Sequence, residues 1–309
     1  MTFSLTILGS SAALPTPYRF STAQVLNVLE RFFLIDCGEG TQIQFRRFKI
    51  KSSKINHIFI SHLHGDHFLG IFGFISSLNL LDRKQALYIH GPFKLKNLID
   101  QYISTFDRGL GYEIIFQPLH YDGIELIYED DKVTVESIPL RHRIPTCGFI
   151  FKEKERLRNI KGEVIKELKV PIKCLQQIKE GEDYVDDSGK IFPNKNLTTD
   201  PPKPRSYAFI SDTAKNPQII EHIKDIDLLY HEATFADEGK KRAKQTGHST
   251  ARQAAEIAKL AKAKQLILGH FSNRYKSLEP LLIEAKEEFS NTDLAIDGKV
   301  FNIPLSKHN

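Results

Sequence analysis

Cysteines are few in this sequence and long apolar runs are absent, and both shortages narrow the class of protein. Cys37, Cys147 and Cys174 form no CxxC pair, and such an odd, scattered set is typical of reduced thiols in a cytoplasm, not of a disulfide framework. No apolar run reaches the roughly 18 residues of a transmembrane helix. The first residues also lack the basic region and long apolar core of a signal peptide. We therefore expect a cytoplasmic protein without a membrane segment.

Acidic residues are outnumbered in one part of the chain only. The 309 residues carry a net charge of +5, yet residues 152–179 hold nine Lys/Arg and four Asp/Glu, and the rest of the chain holds 34 of each. Such a run either forms a solvated surface or binds a polyanion, because clustered Lys and Arg neutralise phosphates. Two smaller basic clusters, at 46–51 and 240–244, are open to the same two interpretations.

Apolar periodicity predicts a layered α/β fold. β-Branched or alternating runs predict strands at 4–8, 24–29, 32–35, 55–61, 87–90, 114–118, 132–138, 207–210, 228–231 and 265–268. Helical spacing predicts helices at 70–81, 251–261 and 278–289, with Ser249 or Thr250 as the N-cap of the second. Strands and helices alternate along the chain, which favours mixed layers over separate all-α and all-β domains.

Residues 152–205 interrupt this alternation of predicted strands and helices. The segment is polar, loop-like in its second half, and ends in Asp-Pro-Pro-Lys-Pro at 200–204, which is typical of an extended hinge. We interpret it as an insertion that projects from the main domain. A disordered linker is the alternative, although structureless loops of this length are uncommon.

The stretch His62-Leu63-His64-Gly65-Asp66-His67 indicates a metal site. It follows the apolar run 55–61, so its side chains lie on a loop that leaves a predicted strand. Imidazole nitrogen and carboxylate oxygen are ligands that Zn²⁺ prefers, and they also suit Fe or Mn. One ion cannot easily use four ligands this close together. Two ions can, if His62 and His64 face one while Asp66 and His67 face the other.

Three further polar residues also follow predicted strands. His142 comes after the run 132–138, Asp212 after 207–210, and His270 after 265–268. A lone histidine in such a place is usually structural. Together with the first loop these residues would complete a site for two ions, because a metal needs several partners.

Several motifs in chain order now carry a resemblance to a family. Thr-x-Leu-Gly-Ser at 6–10, Asp-Cys-Gly-Glu-Gly-Thr-Gln at 36–42, the loop 61–67, Ser-Asp-Thr at 211–213 and Gly-His-Phe at 269–271 resemble the metallo-β-lactamase superfamily. The stretch 36–42, with His-Glu-Ala-Thr-Phe at 231–235 and Gly-His-Ser-Thr at 247–250, is closer to short-form ribonuclease Z, the tRNA 3′-processing endonuclease. The resemblance extends from about residue 6 to residue 303.

The resemblance implies a four-layer αββα sandwich with an inserted flexible arm. Residues 1–309 would form a single catalytic domain, and a basic tRNA-binding arm would occupy about 152–205. Two Zn²⁺ ions per subunit are implied. By motif, His62, His64 and His142 would hold one zinc, Asp66, His67 and His270 would hold the other, and Asp212 would bridge them.

The resemblance also assigns roles in catalysis. Asp66 would act as proton acceptor besides binding zinc. His248 is the candidate donor of a proton to the leaving ribose oxygen, since an imidazole suits general acid catalysis near neutral pH. Either Glu232 or His231 would support His248, and the sequence does not choose between them. Asp36 would either hydrogen-bond a ligand histidine or fix the turn that follows it.

The implied function is removal of 3′ trailers from precursor tRNA. The cut would fall 3′ of the discriminator nucleotide and leave a 3′-hydroxyl for CCA addition. The family is commonly homodimeric, so a homodimer is expected. The alternative is a general binuclear-zinc phosphodiesterase of the same superfamily, which would keep the metal ligands without depending on a basic arm.

Overall fold

The computed structural model describes residues 1–106 and 109–305. The chain forms two compact units. The first unit comprises Met1–Lys152 and Ser206–Ile303, and the second comprises Glu153–Arg205 with residues 304–305.

Two seven-stranded sheets form the first unit. The strands of the first sheet are β1 (Phe3–Gly9), β2 (Ala23–Val28), β3 (Arg31–Cys37), β4 (Ile55–Phe59), β5 (Leu87–Gly91), β6 (Ile114–Pro118) and, at its other edge, β14 (Val300–Asn302). The strands of the second are β7 (Glu125–Glu129), β8 (Val133–Pro139), β9 (Cys147–Glu153), β10 (Ser206–Ile210), β11 (Leu228–Glu232), β12 (Gln265–Gly269) and β13 (Thr292–Leu294). The spatial orders are β14-β1-β2-β3-β4-β5-β6 and β13-β12-β11-β10-β9-β8-β7.

Both sheets change from antiparallel to parallel pairing. In the first sheet β1, β2 and β3 are antiparallel, whereas β3 to β6 are parallel. In the second sheet β10 to β13 are parallel. Since parallel strands end at the same edge of a sheet, the loops after β3 and β4 lie together, and so do those after β10, β11 and β12.

Aromatic side chains join the inner faces of the two sheets. The rings of Phe33 and Phe151 have centroids 5.4 Å apart, and those of Phe59 and Phe149 are 5.5 Å apart. All four side chains are fully buried or nearly so. Burial of such rings is a main source of stability for the sandwich.

Helices cover the outer faces. The helices of the first unit are α1 (Thr41–Arg47), α2 (Gly65–Phe68), α3 (Gly70–Leu80), α4 (Phe93–Ile103), α8 (Lys240–Thr246), α9 (Ala251–Leu260) and α10 (Glu279–Glu288), with 3₁₀ turns at Ser52–Lys54, Pro217–Ile223 and Asp237–Gly239. Helices α1, α3 and α4 pack their apolar faces on the first sheet. Helices α9 and α10 pack on the second sheet. The predicted four-layer αββα sandwich is therefore confirmed. Among the described residues no helix is long and apolar enough to cross a membrane.

The second unit has its own small core. It contains α5 (Gly162–Glu167), α6 (Leu175–Glu180), α7 (Asn194–Leu197), a 3₁₀ turn at Ile172–Cys174, and two-stranded pairs Asn159–Ile160 with Thr198–Thr199 and Tyr184–Val185 with Ile191–Phe192. Its buried core residues are Ile165, Val170, Ile178, Tyr184 and Leu197. Because this segment is folded, the interpretation as a disordered linker is wrong.

Candidate metal centre

The ends of the parallel strands bring together the side chains that the sequence singled out. Asp36 lies at the end of β3, Asp212 follows β10, and His270 follows β12. These three residues have φ angles of 53°, 57° and 54°, a left-handed conformation that is uncommon outside glycine. Strained backbone of this kind is concentrated at functional sites.

One group of donors surrounds His64. The Nε2 atom of His62 lies 3.0 Å from His64 Nδ1, and His142 Nε2 lies 3.3 Å from the same atom. Asp212 Oδ2 completes the group, at 3.5 Å from His62 Nε2 and 3.7 Å from His142 Nε2. The four ligand atoms all lie within 4.8 Å of one another, which is compact enough for one ion to contact each.

A second group of donors surrounds His270. Its Nε2 atom lies 3.2 Å from His67 Nε2 and 3.3 Å from Asp66 Oδ2. The other oxygen of Asp212, Oδ1, lies 3.1 Å from His67 Nε2 and 3.2 Å from His270 Nε2. The two carboxylate oxygens of Asp212 thus face different groups, so the seven donors divide into two adjoining sets around this residue.

The electrostatics of these groups favour a bound cation. Burial would raise the pKa of the Asp212 carboxyl, but the surrounding imidazoles, His270 first, hold it well below its usual value. Burial would lower the pKa of His67, yet neighbouring carboxylates, Asp212 first, raise it well above its usual value. These buried carboxylates therefore require positive charge beside them. Imidazole and carboxylate donors fit a divalent transition metal, so this cluster can bind metal ions.

A further layer of hydrogen bonds orients the donor histidines. Asp36 is fully buried, accepts from Ser61 N–H at 2.8 Å, and lies 2.6 Å from His67 Nδ1. His142 Nδ1 lies 2.8 Å from the carbonyl oxygen of Gly247, and His270 Nδ1 lies 2.9 Å from Thr234 Oγ1. With Nδ1 engaged in this way, the Nε2 atoms of these three histidines point into the cluster.

Asp36 and the turn after it both contact the loop 61–67, which carries metal donors. A Cβ at Gly38 would lie only 2.4 Å from the backbone oxygen of Asp66, so this close approach requires glycine. The Asp36 carboxylate contacts Ser61 and His67, which agrees with the first interpretation of Asp36, a hydrogen bond to a ligand histidine. The parts played by Ser61 and Gly247 could not be read from spacing, because Ser61 donates to Asp36 through its backbone N–H and hydroxyl and Gly247 contacts His142 through its carbonyl oxygen.

His248 lies beside the cluster and pairs with Glu232. Its Nδ1 atom is 2.8 Å from Glu232 Oε1. Burial would lower the pKa of His248, but the Glu232 carboxylate raises it to about 9. His231 is fully buried, and its Nδ1 lies 2.8 Å from the backbone oxygen of Glu232. Because successive strand residues point to opposite faces, Glu232 reaches His248, and the structure does not bring His231 to it.

A cavity of about 440 Å³ opens over the cluster. Besides His64, Asp66, Asp212, His248 and His270, it is lined by three arginines, Arg143, Arg242 and Arg274. Arg274 lies over the ring of Phe235, 5.2 Å from its centroid. Guanidinium groups around a metal cluster suit an anionic substrate such as a phosphodiester.

Comparisons with known families agree with this fold. A family model described as "Beta-lactamase superfamily domain" matches residues 201–271, and one described as "Anti-Pycsar protein Apyc1" matches residues 3–106. The sandwich, with its His/Asp cluster at the strand ends, is that of a metallo-β-lactamase-fold protein.

Full-length relatives narrow this class to one family. A protein named ribonuclease Z in Phocaeicola vulgatus is 50% identical over 95% of this chain and 95% of its own length. Another of that name in Bacteroides thetaiotaomicron is 48% identical over 97% and 95%. The crystal structure of the short form of human tRNase Z matches with a TM-score of 0.72 and 28% identity, covering 98% of this chain and all of that one. The chain belongs to the ribonuclease Z family, which confirms the resemblance seen in its motifs.

Proposed function

We propose that this protein is a metal-dependent endoribonuclease that removes 3′ trailers from precursor tRNA. The cut falls 3′ of the discriminator nucleotide and leaves a 3′-hydroxyl for CCA addition. The observation that carries the proposal is the divided donor cluster, in a chain that aligns along nearly its whole length with proteins named ribonuclease Z.

The proposed cofactor is a pair of Zn²⁺ ions in each subunit. When bound, two such ions supply Lewis acidity and acidify a water to a pKa of about 7. Asp212 would bridge them, because its two oxygens face different donor sets. The first ion would be held by His62, His64 and His142, and the second by Asp66, His67 and His270.

Asp66 is proposed to orient the attacking water and accept its proton. The backbone N–H of Ala13 donates to Asp66 Oδ2 at 2.7 Å, which fixes the carboxylate at the edge of the cavity. The imidazoles of His67 and His270 outweigh burial and keep the pKa of Asp66 below its usual value. The carboxylate is therefore ionised at neutral pH.

His248 is proposed to donate a proton to the leaving ribose oxygen. With a pKa of about 9 it carries that proton at neutral pH. Glu232 accepts from His248 Nδ1, which leaves the Nε2–H free to act as the donor. Glu232 is therefore the supporting residue in this proposal, and His231 has no part in it.

A long polyanionic substrate is supported by basic side chains in both units. Three arginines line the cavity over the cluster. In the second unit Lys166, Lys169 and Lys173 are exposed, on a segment that folds around its own core. We propose that this segment, residues 152–205, is a tRNA-binding arm inserted into a single catalytic domain. Shape and phosphate contacts suit a structured RNA, whose deep groove hides its base edges.

A homodimer is proposed from an apolar surface on α1 and α3. Ile43, Leu80 and Leu81 are exposed there, Leu80 by 84%, around a cavity of about 540 Å³. An apolar patch of this kind is typical of a protein interface. Leu80→Glu with Leu81→Glu should convert a dimer to a monomer in sedimentation velocity, and a monomeric wild-type protein would contradict the proposal.

A cytoplasmic location is also proposed. The substrate is transcribed and processed in the cytoplasm of bacteria, the source of both relatives described above. Cys37, Cys147 and Cys174 are all free thiols, as expected in a reducing compartment.

Cleavage of a tRNA that carries a 3′ trailer tests the proposed function. The metal-loaded protein should give a single cut after the discriminator nucleotide. Asp66→Ala should abolish it, and the matched control Asp122→Ala, at an exposed carboxylate, should retain it. If the wild-type protein leaves the precursor uncut but hydrolyses a small phosphodiester, the general phosphodiesterase is favoured instead.

A further inference from the structure

A second cavity adjoins the metal centre on the far side of His248. It has a volume of about 520 Å³ and is lined by Arg141, Lys215, Lys240, Lys241 and Lys244 together with His248. Of the described residues that line the two cavities, His248 is the one that both share. The proposed proton donor therefore stands between a cavity with the metal donors and a cavity with a cluster of cations.

Most of the cations of this second cavity form no ion pair among the described residues. Lys215 forms an ion pair with Glu256. Within the described ranges, no ion pair is seen for Lys240, Lys241 or Lys244, and all three side chains are exposed. Like charges gathered around one concavity repel each other, and a polyanion that displaces counterions relieves this repulsion. Lys240, Lys241 and Lys244 lie on α8, and Arg141 and Lys215 join them from other segments of the chain.

The geometry of the proposed displacement at phosphorus decides which part of the RNA lies at the second cavity. In an in-line displacement at phosphorus, the attacking and leaving oxygens lie on opposite sides of the phosphorus. The leaving oxygen in the proposed function is the 3′-oxygen of the discriminator ribose, and His248 protonates it. The strand upstream of the cut must therefore lie on the His248 side, whereas the trailer lies over the metal centre.

We propose that the cavity of Lys240, Lys241 and Lys244 binds the sugar–phosphate backbone at the acceptor end of the tRNA, upstream of the cut, and not the trailer. This inference rests on the proposed function. Lysine contacts phosphate as a point charge and reads no base, so this site holds any tRNA sequence equally. It also binds the cleaved tRNA, because the product keeps every phosphate that the site contacts.

Binding of three RNAs to one variant tests this assignment. The probes are the precursor, a tRNA that ends at the discriminator, and the free trailer with its 5′-phosphate. The variant combines Lys240→Ala, Lys241→Ala and Lys244→Ala. We expect its affinity for the precursor and for the discriminator-ended tRNA to fall by the same factor, about 10- to 100-fold, with unchanged affinity for the trailer. The slope of log K against log salt should fall by about 2 to 3 for both tRNAs.

Two controls make the result specific. Lys94→Ala, Lys132→Ala and Lys286→Ala remove the same charge from exposed positions elsewhere in the first unit and should leave all three affinities unchanged. Lysine-to-arginine changes at the three cavity positions should restore binding.

Other outcomes overturn the inference in distinct ways. If the variant loses affinity only for the trailer, the assignment is reversed. An equal loss of affinity for all three RNAs means that the site does not distinguish the strand upstream of the cut from the trailer. Unchanged affinity for all three means that the lysines form a solvated surface. Cleavage by the wild-type protein is measured alongside. If that protein cuts the precursor at the expected position, any of these outcomes rejects the inference alone; if it does not cut, the proposed function fails and the inference with it.

Discussion

Replacing Thr234 with valine tests whether its hydroxyl orients His270, a donor of the candidate metal centre, relative to Glu232 and His248. The Thr234 hydroxyl is buried, 2.6 Å from Glu232 Oε2 and 2.9 Å from His270 Nδ1. A hydroxyl has one proton, and an ionised carboxylate can only accept. Thr234 therefore donates to Glu232 and accepts from the Nδ1–H of His270, which leaves the Nε2 lone pair of His270 free for a metal ion.

The size of the effect follows from these contacts. Valine keeps the shape of threonine but leaves the Nδ1–H of His270 buried without an acceptor, at a cost of about 1–3 kcal/mol. Glu232 keeps the backbone N–H donors of Thr213 and residue 234, at 2.8 and 3.2 Å, and its contact with His248. We expect one of the two proposed ions to be held about 10- to 100-fold more weakly, the range typical of residues that orient a metal ligand.

Competition with a chelator measures this directly. Titration of metal-free protein against a fluorescent chelator gives the number of ions bound and the affinity for each, independently of cleavage. Thr234→Ser retains the hydroxyl and should bind both ions as the wild type does. The reasoning is refuted if Thr234→Val binds both ions as tightly as the wild type, or if Thr234→Ser is weakened as much as Thr234→Val.

Three further changes probe the framework around the site. Burial holds the pKa of His57 at about 4 and that of His90 at about 3. Unfolded histidine binds protons near pH 6.5, so the free energy of unfolding should fall as the pH drops from 6.5 towards 4. Over the same pH range the urea midpoint of a His57→Phe, His90→Phe variant should fall less than that of the wild type. Thr250→Ala removes the capping box of α9 and should lower the free energy of unfolding by about 1 kcal/mol in urea titrations. Glu153→Gln removes the buried carboxylate that pairs with Arg205 and should destabilise the second unit by about 3–5 kcal/mol, seen as faster proteolysis within that unit while the first unit persists.

Strands were more predictable from the sequence than helices. Each of the ten predicted strands corresponds to a strand of the two sheets, because continuous or alternating apolar runs rich in β-branched residues are a strong strand signal. Strand β9 was missed although it is buried nearly throughout. Helix α9 was predicted from its clear apolar period, with Ser249 or Thr250 as its N-cap, and the structure has Thr250 there. Helix α4 was missed, because its buried residues are few, Leu95 and Ile99, and four-residue spacing on a mostly polar helix is a weak signal.

The site was partly predictable for a related reason. Metal donors follow strand ends in the sequence, so their convergence could be expected without knowing any distance. The choice between His231 and Glu232 could not, because it depends on which face of β11 points at His248. The contact of Thr234 with His270 was equally hidden, since it joins residues 36 positions apart by a bond that no motif spacing encodes.

The charges of the buried residues explain why the proposed centre would need two cations. Four carboxylates, from Asp36, Asp66, Asp212 and Glu232, lie buried or nearly so around the donor histidines. Without cations, such carboxylates favour protons on nearby imidazoles, and Asp212 with its neighbours raises the pKa of His67. Two divalent ions would balance all four carboxylates and let the ligand histidines be neutral, as metal binding requires. The charge left over is then the proton on His248, beside the cavity where the phosphodiester would bind.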